Sequence, residues 1–552
     1  NPLLGGGVRP VVRSVAVMPF DNLSSDPQNA YFSDGMAAEI LSRLVSIPGL
    51  KVVSVRRAPG HTSDPRQVGR EVGVATVLEG DVRREGNRVR VTARLTNTET
   101  GQVMWASEPY DRELADIFTV QSGIAIEIAA ALKTAMTPEV RKLVERKPTE
   151  NAAAYDAYLR GMDYYRRSDG ERDVRAAVAA FERAVSLDPK FAAAHAWLSR
   201  MHARLWWFHY DRTPERVALA KAAVDRAVAL EQDSPEVHVA LGYYYYWCHL
   251  DYDRALAEFR VALKARENDG DVLASMGYVF RRQGKLQEAV TALTQAAELD
   301  PRSAQLLFNL GETLALVRDV AAATRWLDRS IALTPDWARA YGLKARYLLR
   351  LGGDVTDAAA PLSQAGSLGL GEDFDVAYAN VLLALFSRDY RAGLTRLSRW
   401  SREVIDNQFW FVPKALLQAQ LSGLLGQREA ELSHYRAAVV LLDERIRTAP
   451  DDPRLRGSLG IAYAGLGRKA DAVREGKRAL ELMPVAKEAY RGAFRVEEMA
   501  RIYAMVGDRD AAVEQLEYLM SIPLDLAAPG LRLDPTWDSL RDHPRFQKLV
   551  GR

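Results

Sequence analysis

Residues Val272–Pro301 read VLASMGYVFRRQGKLQEAVTALTQAAELDP, and this stretch decides the fold. Ala289 is small. Leu293 follows four positions later, a second small residue, Ala296, three after that, and Pro301 five beyond. Gly277 stands twelve residues ahead of Ala289, and Gly284 lies between them. Residues three and four apart share one face of a helix. The small pair therefore lets a second helix lie close to a first, and the large residue fills the space between neighbours. Gly284 suits the turn, and Pro301 stops the second helix. The stretch predicts a helical hairpin.

The same spacing recurs in both directions along the chain, and a fixed period is the mark of a repeat architecture. Strong copies are Ala177-Phe181-Ala184-Pro189 and Ala323-Leu327-Ser330-Pro335. Weaker ones are Ala220-Val224-Ala227, Ala255-Phe259-Ala262 and Ala358-Leu362-Ala365. Degenerate ones begin at Gly393, Ala430, Ala472 and Ala512. Successive anchors stand 43, 35, 34, 34, 35, 35, 37, 42 and 40 residues apart. Further small residues at Gly242, Gly311, Ala345, Gly460 and Ala500, and turn glycines at Gly467 and Gly507, complete the pattern. It resembles the tetratricopeptide repeat over about Asn151–Pro523, which implies an all-α solenoid of about ten hairpins wound as a right-handed superhelix. The long first spacing leaves room for an insertion around Trp206–Tyr210, and Pro361 should weaken or kink its helix. Residues 524–552, with Leu533-Asp534-Pro535-Thr536-Trp537-Asp538 and His543-Pro544-Arg545-Phe546, are expected to cap the solenoid's exposed end.

Ahead of the repeats the periodicity changes. Ser14–Phe20, Leu50–Val55, Thr76–Arg84, Arg88–Asn97 and Val103–Ser107 read as strands, with a hairpin turn at Glu85-Gly86-Asn87. Val89, Val91, Ala93 and Leu95 alternate with polar residues, so the sheet has one wet face. Helices are predicted over Met36–Val45, capped by Ser33-Asp34-Gly35, from Asp64-Pro65 to Val72, and over about Ile117–Ala135. These elements make an α/β domain over residues 12–135, with linkers at 1–11 and 136–150. Ser14–Ser24, Tyr31–Met36, Val77–Arg84 and Tyr110–Phe118 resemble blocks of the TolB-like N-terminal domain of bacterial envelope and signalling proteins. That resemblance implies a domain joined to repeats, often displayed outside the cytoplasmic membrane behind a kinase, a cyclase or a DNA-binding domain. It supplies no catalytic residue.

Charge is balanced, 74 basic against 72 acidic residues. A nucleic-acid binder would show a basic excess or patch, so nucleic acid is not an expected partner. A single cysteine, Cys248, excludes a disulfide framework and any multi-cysteine metal site. No run of 18 apolar residues is present, so membrane attachment would come through an anchor ahead of Asn1. Phosphate-binding, zinc-helix and serine-elbow motifs are absent, and neither cofactor nor metal is expected. His195, His202 and His209 are seven apart, about 10 Å along a helix, too far to share one ion. The Cys248-His249 pair lacks a third catalytic partner. Asp21-Asn22 and Ser33-Asp34-Gly35 sit where loops could offer helix amides to an anion, although turn and cap chemistry explains them more simply.

The first helices of stacked hairpins line a concave face, the usual binding surface. Placing Gly242 at the eighth repeat position turns Tyr243, Tyr246 and Trp247 towards that groove and Tyr245 inward. Arg200, Arg204, Tyr278, Arg281 and Arg282 take equivalent places in neighbouring repeats. Aromatic and arginine side chains are what interfaces favour at their centres. The expected occupant is a partner protein presenting an acidic or aromatic segment, with a homo-oligomer left open. The competing reading packs the aromatics between helices and leaves the arginines solvated. Function is expected to be that of a non-enzymatic scaffold at the bacterial envelope, facing the periplasm, with the cytoplasm as the alternative compartment. A regulatory region of a membrane-bound kinase or adenylate cyclase and a structural subunit of a larger assembly are the rivals. An enzyme would need a cleft of convergent titratable groups.

Overall fold

The computed structural model describes residues 11–56, 64–167 and 170–551. Most of the expected N-terminal linker, residues 1–10, lies outside them. The chain divides into two compact units: Asn1–Val279 with Ala292–Ser303, and Phe280–Thr291 with Ala304–Arg552.

The first unit opens with a seven-stranded sheet. Its strands are β1 (Val11–Val17), β2 (Asp21–Asn22), β3 (Lys51–Ser54), β4 (Val74–Glu85), β5 (Arg88–Asn97), β6 (Val103–Ala106) and β7 (Tyr110–Glu113). The order is β3-β1-β4-β5-β6, with β2 on β4 and β7 on β5. β1 runs parallel to β3 and β4, whereas β4 and β5 form an antiparallel hairpin with Glu85 opposite Arg88. Val89, Val91, Ala93 and Leu95 are buried while Arg88, Arg90 and Arg94 are exposed, which is the wet face expected. The short strands β2 and β7 were not foreseen, being too brief to show alternation.

Helix α1 (Ala30–Val45) crosses one face of the sheet with α3 (Ile117–Ala131), and α2 (Pro65–Val72) packs near β1 and β4. Asp64 caps α2 by accepting from the Arg66 amide, and Gly73 ends it at φ 68°. The expected cap at Ser33-Asp34-Gly35 is overturned. α1 begins at Ala30, so these residues lie inside the helix, their amides used within it. Gly35 lies close to Leu159: a Cβ there would sit 2.9 Å from that side chain. The segment Leu114–Ala131 is long and apolar enough to cross a membrane by length and composition. It is the domain's core helix, packing on α1 and β5. The expected linker 136–150 contains a further helix, α4 (Pro138–Glu145), capped by Thr137.

Among the described residues ten helical hairpins follow. Three lie in the first unit: Ala152–Arg167 with Glu171–Leu187, Ala192–Trp207 with Pro214–Glu231, and Pro235–His249 with Tyr252–Ala265. The division between units falls in the fourth, Gly270–Arg282 with Leu286–Leu299. The second unit holds Ala304–Leu316 with Val320–Leu333, Ala338–Gly352 with Val355–Ser367, Phe374–Phe386 with Tyr390–Arg399, Lys414–Leu424 with Arg428–Thr448, Pro453–Gly465 with Lys469–Leu482, and Ala489–Val506 with Arg509–Ser521. The repeat glycines work as their spacing implies: a Cβ on Gly161 or Gly242 would sit 2.7 or 2.4 Å from the ring of Phe181 or Phe259. Extra residues in the second hairpin lengthen its helices to 16 and 18 residues. Pro361 is accommodated inside an unbroken helix, Val355–Ser367.

No gap in packing separates the α/β elements from the repeats. A single apolar cluster runs from Val15 and Ile124 through Tyr155, Phe181 and Met201 to Ala223. Phe118 of α3 meets Tyr155 of the first hairpin edge to face, centroids 4.5 Å apart.

Candidate functional site

The repeat face was expected to offer Arg200, Arg204, Tyr243, Tyr246, Trp247, Tyr278, Arg281 and Arg282 to a partner. All but Tyr278, which is half-buried, are buried. In the first unit they form an arginine–aromatic ladder between hairpins. Arg200 lies 3.8 Å from the Trp197 ring centroid and 4.5 Å from that of Tyr243, and Arg204 covers Tyr165 at 5.0 Å. The Tyr243 hydroxyl pairs with Ser275 Oγ at 2.6 Å. Tyr246 and Trp247 turn inward against Trp207, at 5.0 and 6.4 Å, while Tyr245 is the less buried. The expected facing is thus inverted, for a definite reason. Tyr244–His249 continues its helix as a π turn, whose wider winding rotates every later side chain away from the 3.6-residue period.

In the second unit Arg281 donates to Glu312 Oε2 at 2.6 Å, and Tyr490 donates to the other oxygen at 3.0 Å. Arg282 pairs with the fully buried Glu488 at 3.5 Å and donates to Gln408 Oε1 at 2.8 Å. The space these residues face is filled by the chain itself. A two-stranded insertion, Val404–Asp406 with Phe411–Pro413, carries a tip held by Asn407, whose Oδ1 accepts from the amides of Phe409 and Trp410. Phe409 meets Tyr490 at 4.7 Å and Trp410 meets Phe494 at 4.9 Å. Arg495 donates to the Phe409 carbonyl at 2.6 Å. A cavity of about 90 Å³ remains.

The tail does more than cap the last hairpin. Asp525, fully buried, pairs with Arg346 at 2.9 Å, and Arg388 pairs with Asp538 at 2.7 Å. Arg318 donates to the carbonyls of Leu519, Ile522 and Leu526. Arg318 and Arg388 occupy the turn places where Gly284 and Gly467 sit elsewhere, at φ 63° and 59°. A left-handed arginine is disfavoured there, and in both cases the side chain anchors the tail. Their positions at the turn were the available signal.

A cavity of about 520 Å³ lies within the first unit. Nothing in the residue spacing announced it, because it forms between α1, the ends of β1 and β3, and the first helices of the early hairpins. Of the expected residues only Arg200 lines it. Apolar residues turn the inner side of α1 to the sheet, which leaves Ala38, Glu39, Leu41 and Ser42, the half-buried positions, for the cavity. Tyr158, Met162, Ala193 and Trp197 form the facing wall.

Its charged groups are mostly committed. Arg56 bonds Asp300 at 2.9 Å, Arg146 pairs with Glu231, and Arg266 with Glu236. Arg43 donates to the carbonyls of Val144 and Arg146 and to Gln121. Burial raises the Glu236 carboxyl, but Arg266 and Ser234 outweigh it and hold the group at about 2. Asp269 is pushed up to about 6 by burial and by Asp271. Glu39 is raised chiefly by burial, against the opposing field of Arg43. Among the described residues Glu39 has neither hydrogen bond nor ion pair.

His195, His202 and His238 hold structure. His202 is buried and accepts from Arg216 at 2.8 Å; burial and that guanidinium lower it to about 4. His195 contacts the Pro189 carbonyl and His238 pairs with Glu258 at 2.6 Å. Burial raises the Cys248 thiol to about 12, which keeps it protonated.

Comparison with known proteins bears on the repeats. Family models for the TPR repeat and the tetratricopeptide repeat match residues 277–316 and 424–487. The putative adenylate cyclase 3 of Rhizobium meliloti is 34% identical over 242 residues, 43% of this chain and 41% of that protein. Protein FlbA of Caulobacter vibrioides is 30% identical over 124 residues, 22% of this chain and 21% of its own. The chain thus spans about two fifths or less of these curated relatives. Among solved structures, a thermophilic TPR protein of Thermus thermophilus aligns at 17% identity over 38% of this chain and 99% of its own, with TM-score 0.30. With ten hairpins among the described residues and both repeat models matched, the chain carries tetratricopeptide repeats.

Proposed function

We propose that this chain is a non-enzymatic binding scaffold that engages a partner protein through the first unit. The observation that carries this reading is the cavity of about 520 Å³ beside the first helices of the early hairpins, within the size range of ligand sites. The second unit's equivalent face is occupied by Phe409 and Trp410. Partner capture followed by mass spectrometry tests the idea, comparing the native chain with Ala193→Trp, which obstructs the cavity from the half-buried face of its helix. Capture should be lost in the variant while its melting temperature holds. Equal capture by both proteins would end the assignment.

A second reading makes the chain the regulatory region of a membrane-bound adenylate cyclase. Its support is the 34% identity to part of the putative adenylate cyclase of Rhizobium meliloti. The resemblance of residues 12–132 to TolB-like domains favours an extracytoplasmic position for either reading. Cyclic AMP measured in cells expressing the complete gene, with and without this region, separates the two.

A further inference from the structure

The structure assigns the first unit's cavity to an organic ammonium ion, a protonated amine on an apolar body, with Glu39 as its counter-ion. Glu39 projects from α1 into a space walled by Tyr158, Met162 and Trp197. The lining guanidinium groups have partners: Arg56 has Asp300, Arg146 has Glu231, Arg266 has Glu236, Arg43 has two carbonyls and Gln121, and Arg200 has the Trp197 ring and the Tyr165 hydroxyl, although the Nε of Arg43, Arg200 and Arg266 makes no hydrogen bond among the described residues. Glu39 and Asp271 are the lining carboxylates whose side chains make no hydrogen bond or ion pair among the described residues; Asp271 is exposed, and Glu39 is the half-buried one. A charge in such a setting is costly unless paired, so the acceptor the cavity leaves open calls for a donor that carries positive charge. An anionic ligand would meet Glu39, Glu236 and Asp269 in the same lining. The apolar wall suits a hydrocarbon or aromatic body, and aromatic faces favour a neighbouring cation. This concerns the same cavity as the proposed scaffold role, and its test, the binding of small amines, can fail independently of partner capture.

Arg166 also lines the cavity and is exposed at its rim. Its field reaches Glu39, so a flexible Glu39–Arg166 pair is the rival to a ligand. Calorimetry and thermal melts of the full chain decide between them, using n-hexylamine, hexanol and hexanoate as probes of one size and three charge types. Hexylamine should bind and raise the melting temperature, and hexanoate should do neither. Glu39→Gln should weaken hexylamine about tenfold or more, and should raise the melting temperature of the ligand-free chain by removing an unpaired carboxylate. Hexanoate binding as well as hexylamine, or unchanged affinity in Glu39→Gln, overturns the assignment. So does a lower melting temperature in Glu39→Gln, which would mean that Arg166 already pairs with it. Nα-acetyl-lysine methylamide distinguishes the source. Binding as tight as that of hexylamine points to a lysine side chain of a partner, and weaker binding to a free amine.

Discussion

The first helices of the hairpins meet two different fates. In the first unit they face α1 across a cavity of about 520 Å³, and Glu39 stands in it unpaired. In the second unit they face Phe409, Trp410 and the tail, and about 90 Å³ is left. The repeat spacing is the same in both. What differs is what the rest of each unit places against it: a half-buried helix face in one case, an aromatic hairpin tip in the other. A repeat face is therefore a binding surface only where the chain does not fill it first.

The sharpest way to break this comparison is Phe409→Ala. If the tip is true core, the variant loses about 3–5 kcal/mol in urea unfolding, the cost of a large aromatic removed from a packed site. A loss below about 1 kcal/mol would show the tip to be a loosely seated occupant. Next comes acid. His202 is neutral in the folded chain with a value near 4, so its contribution is whole above about 6.5 and disappears as pH falls towards 4. The fall amounts to about 3 kcal/mol at 1.4 kcal/mol per unit. Asp269 near 6, and Asp375 and Glu498 near 7, act in the opposite sense, because the folded chain favours their protonated forms. The difference between the native chain and His202→Gln, measured from pH 7 to pH 4, isolates the histidine. Gly242→Ala should cost about 1–3 kcal/mol through the clash with Phe259, with hydrogen exchange rising in the third hairpin. The smallest effect has the opposite sign: Glu39→Gln should stabilise the free chain by about 1 kcal/mol, seen in the same urea titration. Stabilisation there against destabilisation at Phe409 would mark one interior as an open site and the other as core.

Much of the fold was legible because it is local. Gly161 and Gly242 answer to Phe181 and Phe259 some twenty residues on, within one hairpin, and β4 and β5 are joined by a tight turn that sets their register. The site was not legible for the opposite reason. Glu39, Tyr158, Trp197 and Glu236 come from four separate elements. Tyr246 and Trp247 were misplaced by a single π turn that shifts the helical period without altering the residue types. Ser33-Asp34-Gly35 looks like a helix cap, yet the glycine lies inside the helix and close to Leu159, a residue over a hundred positions away.

From its residue order alone this protein is bound to form stacked hairpins behind a mixed sheet, since each hairpin's apolar stripe and each strand's alternation demand a neighbour. Only the tertiary structure decided which stripes stay open. Arg318 holds carbonyls about two hundred residues later and Phe409 lands among helices eighty residues away. Such contacts depend on where whole elements come to rest, and no periodicity encodes that.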